Sequence, residues 1–290
     1  MKRKGFTLVE LLVVIAIIAL LMGILMPALA RVRQIAHRLV CGTNLSGLGK
    51  AMLIYANERE DEFPRAGYRD STYTSSLGAN WSALARADAY SGGVTVASSL
   101  YLLVKYVDVG PKQFLCKGTD TTEFKPGDYV PGLDLIEVWD FGDKPEWHCS
   151  YSYHSPHDSR YALNIGASPP GMAVAADRNP WLDPANTDPE YPFIWNSEIA
   201  EERKAGNALA HGNEGQQVLF RDGHVTFERW SFCGVQDDNI YTRSPKASDT
   251  VFPQQGDPPV SGGVTPWHRE DSLLVNEGRE DGDGTDTDDR

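Results

Sequence analysis

Between Phe6 and Met26 the chain runs for 21 residues with one charged side chain, Glu10. At about 1.5 Å of rise per residue, a helix of that length spans roughly 30 Å, the hydrocarbon thickness of a bilayer. Lys2, Arg3 and Lys4 stand directly before it. Basic flanks stay in the cytoplasm, so the stretch predicts one membrane helix with a cytoplasmic N-terminus and everything after Pro27 outside the cytoplasm.

Glu10 needs its own explanation. An ionised carboxylate in hydrocarbon costs about 2.5–3.5 kcal/mol on insertion scales, so an acid at this depth has a partner or a task. Cleavage after Gly5 would create a cation at the same depth, the new amino terminus of Phe6, in the same chain or in a neighbour. Such pairing favours side-by-side packing of many copies.

Gly5-Phe6-Thr7-Leu8-Val9-Glu10 resembles the processing site of type IV pilins and type II secretion pseudopilins. In those families a prepilin peptidase cuts after the glycine and methylates the new terminal phenylalanine. Their fifth mature residue is Glu and a Pro follows near the twenty-second, the places that Glu10 and Pro27 hold here. The resemblance implies a leader over residues 1–5 and assembly through the N-terminal helix, with Glu10 neutralising the Phe6 amine of a neighbour. It also implies two kinds of partner, a prepilin peptidase and other pilin or pseudopilin subunits, and a place in the inner (cytoplasmic) membrane or an extracellular filament. The competing reading is an ordinary signal peptide cut near Ala30, for which Met26-Pro27-Ala28-Leu29-Ala30 offers a faint small-residue site.

Beyond Pro27 the helical period continues. Leu29, Val32, Ala36 and Leu39 recur at helical spacing while Arg31, Gln34 and Arg38 fall elsewhere, which predicts an amphipathic helix with one buried stripe. Gly42, Gly47 and Gly49 weaken it, each by up to about 1 kcal/mol relative to Ala, before Leu48, Met52 and Tyr55 resume the stripe. Pro27 and these glycines are the expected places for bending or local melting. The helix is predicted over 6–56, roughly 75 Å, with a membrane part over 6–26 and a stalk over 27–56 packed on the soluble body. Asn57–Pro64 is charged and ends in Phe63-Pro64, which stops it.

Residues 57–268 hold all seven tryptophans and form the head. Gly, Pro, Asp and Tyr punctuate short apolar runs such as Phe114-Leu115-Cys116 and Tyr161-Ala162-Leu163-Asn164, a pattern of short strands and long loops. Local helices are expected around Asn80–Tyr90 and Ser98–Val107. The fold class is therefore α+β and pilin-like, a long N-terminal helix on an antiparallel sheet with large loop insertions. Its clearest hairpin lies near 216–230, where Asp222-Gly223 between β-formers predicts a two-residue turn. That turn pairs Phe220 with Val225 and Val218 with Phe227, and puts these four on the core face.

His211, a Gly-rich stretch and then Asp222-Gly223-His224 resemble a C-terminal motif of prepilin-type proteins, His, nine residues and Asp-Gly (H-X9-DG). Here ten residues intervene. Phe114-Leu115-Cys116, Tyr161–Asn164 and Ala176-Asp177-Arg178-Asn179-Pro180 resemble segments of the same group. His211, Asp222 and His224 include zinc-type donors, but a single hairpin does not aim all three at one point, and turn chemistry accounts for Asp222. His148-Cys149 and His154-Ser155-Pro156-His157-Asp158 have zinc-like residue types without paired zinc spacing.

Net charge is −13, falling to about −16 once Lys2, Arg3 and Lys4 leave with the leader. A nucleic-acid partner is not expected, since no basic patch is present. Four cysteines in an oxidising compartment allow up to two disulfides, with connectivity open and Cys116–Cys149 as the candidate pair. Cys41 reads as a small buried thiol on the helix. With no nucleophile–base pair, phosphate loop or acid pair, the chain is not expected to be an enzyme. The rival function is a membrane-anchored ligand-binding module or enzyme that uses the leader only for export, its aromatic head binding carbohydrate. Residues 269–290 carry nine acids against three arginines and are expected to be a disordered tail. In it Asp281, Asp283, Asp286 and Asp288 alternate as calcium-loop ligands do, although Asp286 stands where Gly is needed and no Glu closes the loop. Calcium is the one cofactor the sequence suggests.

Overall fold

The long apolar N-terminal segment and the stalk after it wind into one helix, α1, Leu8–Asn57, with Pro27 inside it. The computed structural model describes residues 8–68, 71–156, 162–186, 193–244, 253–259 and 265–277. The leader and Phe6 lie outside those residues. The N-terminal half of α1 is long and apolar enough to cross a membrane by length and composition.

No residue of α1 before Cys41 is buried. Leu29, Val32 and Leu39 are 60%, 61% and 66% exposed, so the expected stripe over 29–39 does not pack on this chain's own head. Burial begins at Cys41 and continues through Leu45, Leu48, Gly49, Ala51, Met52, Tyr55 and Ala56. The stalk thus leaves its apolar stripe exposed over 27–40, where His37 and Arg38 are part-buried, and is packed over 41–56.

The glycines expected to melt the helix instead let it approach the sheet. A Cβ on Gly49 would stand 2.6 Å from Leu219 Cδ1, and one on Gly47 would stand 1.7 Å from Gln113 Nε2. Close packing compensates the lost propensity, and the helix runs unbroken through both.

Five antiparallel strands follow: β1 Tyr151–His154, β2 Ala173–Asp177, β3 Gln216–Phe220, β4 Val225–Glu228 and β5 Leu274–Val275, in the order β4-β3-β2-β1-β5. The architecture is α+β and consistent with a pilin-like fold. Around the sheet lie α2 Arg86–Ala89, α3 Val96–Val107 and α4 Ala200–Lys204. The helix expected around Asn80–Tyr90 is two pieces, a 3-10 turn at Gly78–Ser82 and α2, because Ala83 and Ala85 are extended between them. The start of α3 is set by a capping box, in which Thr95 Oγ1 accepts from Ser98 N at 2.8 Å and Ser98 Oγ accepts from Thr95 N at 3.2 Å.

The hairpin forms one register away from the expected pairing. Leu219 pairs with Val225, Val218 with Thr226 and Gln217 with Phe227. Gly223 alone has positive φ in the turn, at 90°, whereas a two-residue turn of the expected kind needs it at Asp222 as well. The loop is therefore three residues, Arg221-Asp222-Gly223, closed by Gly223 N donating to Phe220 O at 2.9 Å and Phe220 N donating to His224 O at 3.0 Å. A one-residue slip exchanges the faces. Leu219 and Val225 join the core that includes α1 and α3, while Val218 and Phe220 join a second core with Ala173, Ala176, Ile240, Tyr241 and Leu274.

The expected tail boundary at 269 is also corrected. Leu273, Leu274 and Val275 are buried, and β5 pairs with β1 through Tyr153↔Val275 and His154↔Leu274. Three apolar residues complete the sheet edge, although the acids around them dominate the composition of the segment. Two of those acids are buried: Glu277 accepts from Ala97 N at 3.0 Å at the start of α3, and Asp271 accepts from Trp267 N at 2.7 Å.

Two tests follow from this packing. Gly49→Leu is expected to lower the unfolding free energy by about 1–3 kcal/mol through overpacking against Leu219, measured by urea unfolding of the detergent-solubilised chain. Burial pushes the Glu277 carboxyl up from 4.5 to about 7. The folded state then holds a proton that the unfolded state has lost, so this contribution is complete below about 4.5, declines as pH rises and is gone beyond about 7. Asp271, also raised to about 7, acts in the same direction, and His154, lowered to about 4 by burial, acts in the opposite one. Glu277→Gln should therefore flatten the fall in stability between pH 4.5 and 7 relative to the parent chain.

Candidate functional site

Where α1 enters the head, four segments bring four reactive side chains together. Cys41 is the first buried residue of α1, and Cys116 follows the 3-10 turn Pro111–Phe114. Asp177 ends β2, and His211 ends the 3-10 turn Leu209–His211 that leads into β3. Their donor atoms lie within 4.8 Å of one another, and all four residues are buried.

The backbone holds this cluster closely. His211 Nε2 stands 3.0 Å from Asp177 Oδ2 and 3.8 Å from Cys116 Sγ. Asp177 Oδ2 also accepts from Gln217 N of β3 at 2.7 Å, and its carbonyl accepts from Tyr241 OH at 2.8 Å. Gly118 N donates to Cys116 Sγ at 3.4 Å. Asp177 Oδ1, fully buried, has no hydrogen-bond partner among the described residues. Around the cluster Asn44 of α1 donates to Leu115 O at 2.9 Å, Gln217 donates to Arg38 O at 3.0 Å, and Arg38 pairs with Glu214 while lying 4.5 Å from the Phe227 ring centroid.

Charge is shared within the cluster. The hydrogen bond from Cys116 pulls the Cys41 thiol down to about 6 against the penalty of burial, with His211 adding to the effect. The same bond and burial hold the Cys116 thiol above its ordinary range. Burial opposes the charged imidazole of His211, but hydrogen bonds with Asp177 and Cys41 outweigh it and raise the group to about 9. Cys41, His211 and Asp177 have the residue types of a nucleophilic array. All three are buried, Cys41 and Asp177 at 0% exposure. Two sulfurs, one nitrogen and one carboxylate are also a donor set for a thiophilic metal.

Other candidate residues fall elsewhere. Asp222 and His224 sit at the exposed hairpin turn, where Asp222 Oδ1 accepts from His224 N at 3.1 Å, while His211 is directed at Asp177. All four cysteines are free, so the candidate Cys116–Cys149 disulfide is not formed. Cys116 faces Cys41 and His211, whereas Cys149 Sγ donates to Tyr151 O at 3.6 Å. His148 lies between Thr122 O at 2.9 Å and Tyr129 OH at 2.6 Å, and His154 Nε2 is 3.2 Å from Asp271 O. Gly5, Phe6, His157, Asp158, Asp281, Asp283, Asp286 and Asp288 lie outside the described residues, and Glu10 and Pro27 lie on the exposed part of α1. A polar cleft of about 320 Å³ is lined by Tyr55, Glu58, Arg59, Glu62, Arg65 and Arg86. Its arginines are engaged, Arg65 with Glu62 at 3.2 Å, Arg86 with Gly67 O at 2.9 Å and Arg59 over the Tyr55 and Tyr106 rings.

Sequence spacing alone does not reveal the cluster, since its ligand types are scattered over four segments without a paired motif. Cys116, Asp177 and His211 each lie in a segment singled out above, but nothing in the sequence joins those segments to Cys41.

Residues 1–26 match the family model of the prokaryotic N-terminal methylation motif. The chain matches no curated protein and no solved structure. The N-terminus is thus prepilin-type, joined to an apolar helix able to anchor the chain in a membrane and supporting a processed protein of pilin-like or pseudopilin type.

Removing the carboxylate separates the buried cluster from the exposed turn. Asp177→Ala should cost about 3–5 kcal/mol of unfolding free energy by stranding His211, whereas His224→Ala should stay within about 0.5 kcal/mol in the same urea titration.

Proposed function

We propose that this protein is a structural pilin-like subunit rather than an enzyme, processed by a prepilin peptidase and assembled through α1 into a type II secretion pseudopilus or a type IV pilus-like filament. The observation that carries this reading is the division of α1 at Cys41. A prepilin-type motif opens a helix whose residues 8–40 are unburied in the single chain, while 41–56 hold the head. Burying the exposed apolar residues between Leu29 and Val40 against other copies supplies a driving force for association of about 25 cal/mol per Å².

In this mechanism Lys2, Arg3 and Lys4 keep the leader in the cytoplasm until cleavage after Gly5, and α1 holds the subunit in the inner membrane as a single span. Phe6 becomes the methylated terminus, and its cation meets Glu10 of a neighbouring copy inside the low-dielectric bundle. Pairing there is strong because neither charge has water available. The head rides outside, and its acidic surface keeps it soluble.

Mass spectrometry of the mature chain tests processing: N-methyl-Phe6 is expected as the first residue, and a start near Ala30 would refute the reading. Glu10→Ala should give the same mature mass while losing recovery in sheared filaments or crosslinks to other subunits. Undiminished incorporation of that variant would count against the assembly contact.

A further inference from the structure

We propose that Cys41, Cys116, Asp177 and His211 bind one zinc ion that clamps the stalk helix to the head. The four donors come from α1, the Cys116 loop, the end of β2 and the turn before β3, so a single ion would tie together every layer that meets at the base of the head.

The geometry fits a tetrahedral centre. At zinc bond lengths of about 2.0–2.3 Å, tetrahedral donors stand about 3.3–3.8 Å apart. Cys116 Sγ and His211 Nε2 are 3.8 Å apart, His211 Nε2 and Asp177 Oδ2 are 3.0 Å apart, and no pair exceeds 4.8 Å. An ion at the centre needs adjustments of about 1 Å or less, within reach of side-chain torsions.

Asp177 provides a second, independent indication. Its Oδ1 is buried and unpartnered among the described residues, although a buried polar atom without a partner costs about 1–3 kcal/mol. Turning the carboxylate so that Oδ1 rather than Oδ2 meets the ion would satisfy that atom and leave Oδ2 to accept from Gln217 N. His211 would turn Nε2 from the carboxylate to the ion, and the protons of Nε2 and the thiols would leave to solvent on binding. Two sulfurs select against calcium and magnesium, which take oxygen ligands. Four protein donors in a buried site leave no open position, so the ion would be structural and not catalytic.

A disulfide between Cys41 and Cys116 is the competing outcome in an oxidising compartment. It would consume both sulfurs and leave Asp177 Oδ1 unpartnered.

The test uses the full chain purified in detergent from a host cell envelope, with metal content measured by mass spectrometry and thiols counted after denaturation. One zinc per chain and four free thiols are expected. Exchange with cobalt(II) should give a thiolate-to-cobalt charge-transfer band, lost in Cys41→Ser and Cys116→Ser and kept in Cys149→Ser and Cys233→Ser. His211→Ala and Asp177→Asn should weaken metal binding by at least about 100-fold, the upper end of the loss seen when only an outer-shell partner is removed. A Cys41–Cys116 disulfide in the isolated chain would overturn the proposal. So would a folded, reduced parent chain that takes up no cobalt, or a Cys41→Ser variant that keeps the charge-transfer band. The parent chain alone decides the question if a variant fails to fold.

Discussion

The head depends on how closely one face of α1 lies on the sheet. Gly49 removes the side chain that would collide with Leu219, and Gly47 does the same beneath Gln113. Around that approach Leu45, Leu48, Met52 and Tyr55 share a core with Tyr101 of α3, Tyr151 and Tyr153 of β1 and Leu219 of β3. The sheet is covered on its other side as well, by Ile240, Tyr241 and Ala208. Burial on both faces explains why Gln216–Phe220 is buried at every position instead of alternating between core and solvent.

The same helix behaves as two objects. Its N-terminal part has the composition of a membrane span and carries its one acid near the start. Its C-terminal part is a core element of an α+β body. The division falls within one turn, where Arg38 is the last residue to reach across to Glu214 and Phe227 and Cys41 is the first to be buried. Length and hydropathy mark the first role, while small residues at close contacts mark the second.

Much of this was legible in the sequence, for physical reasons that also explain what was not. An apolar run this long has few alternatives to a helix, so α1 ends at Asn57, one residue past the expected Ala56. Asp222-Gly223 announces a hairpin, but loop length is decided by whether Asp222 adopts positive φ, which the dipeptide does not dictate, and the longer loop puts Val218 and Phe220 on the face opposite Val225. Glycines read as weak points because propensity is local and the contact that rewards them comes from Leu219, far along the chain. Acidic composition hid Leu273-Leu274-Val275 in the same way, since three residues suffice for an edge strand but not for a pattern. The cluster at Cys41, Cys116, Asp177 and His211 exists only after folding, with each member supplied by a different element.

The strand order carries a further implication for how the chain comes together. β5 contributes the last described residues but lies against β1, and His154, Ser152 and Asn179 take hydrogen bonds from or give them to the segment 271–276. Ala97 at the start of α3 likewise donates to Glu277. The head is therefore a structure of high contact order that cannot close its sheet until residues 271–277 have been synthesised. Until then the edge of β1 stays open to any extended strand nearby, so a two-residue strand decides whether that side of the sheet is paired or exposed.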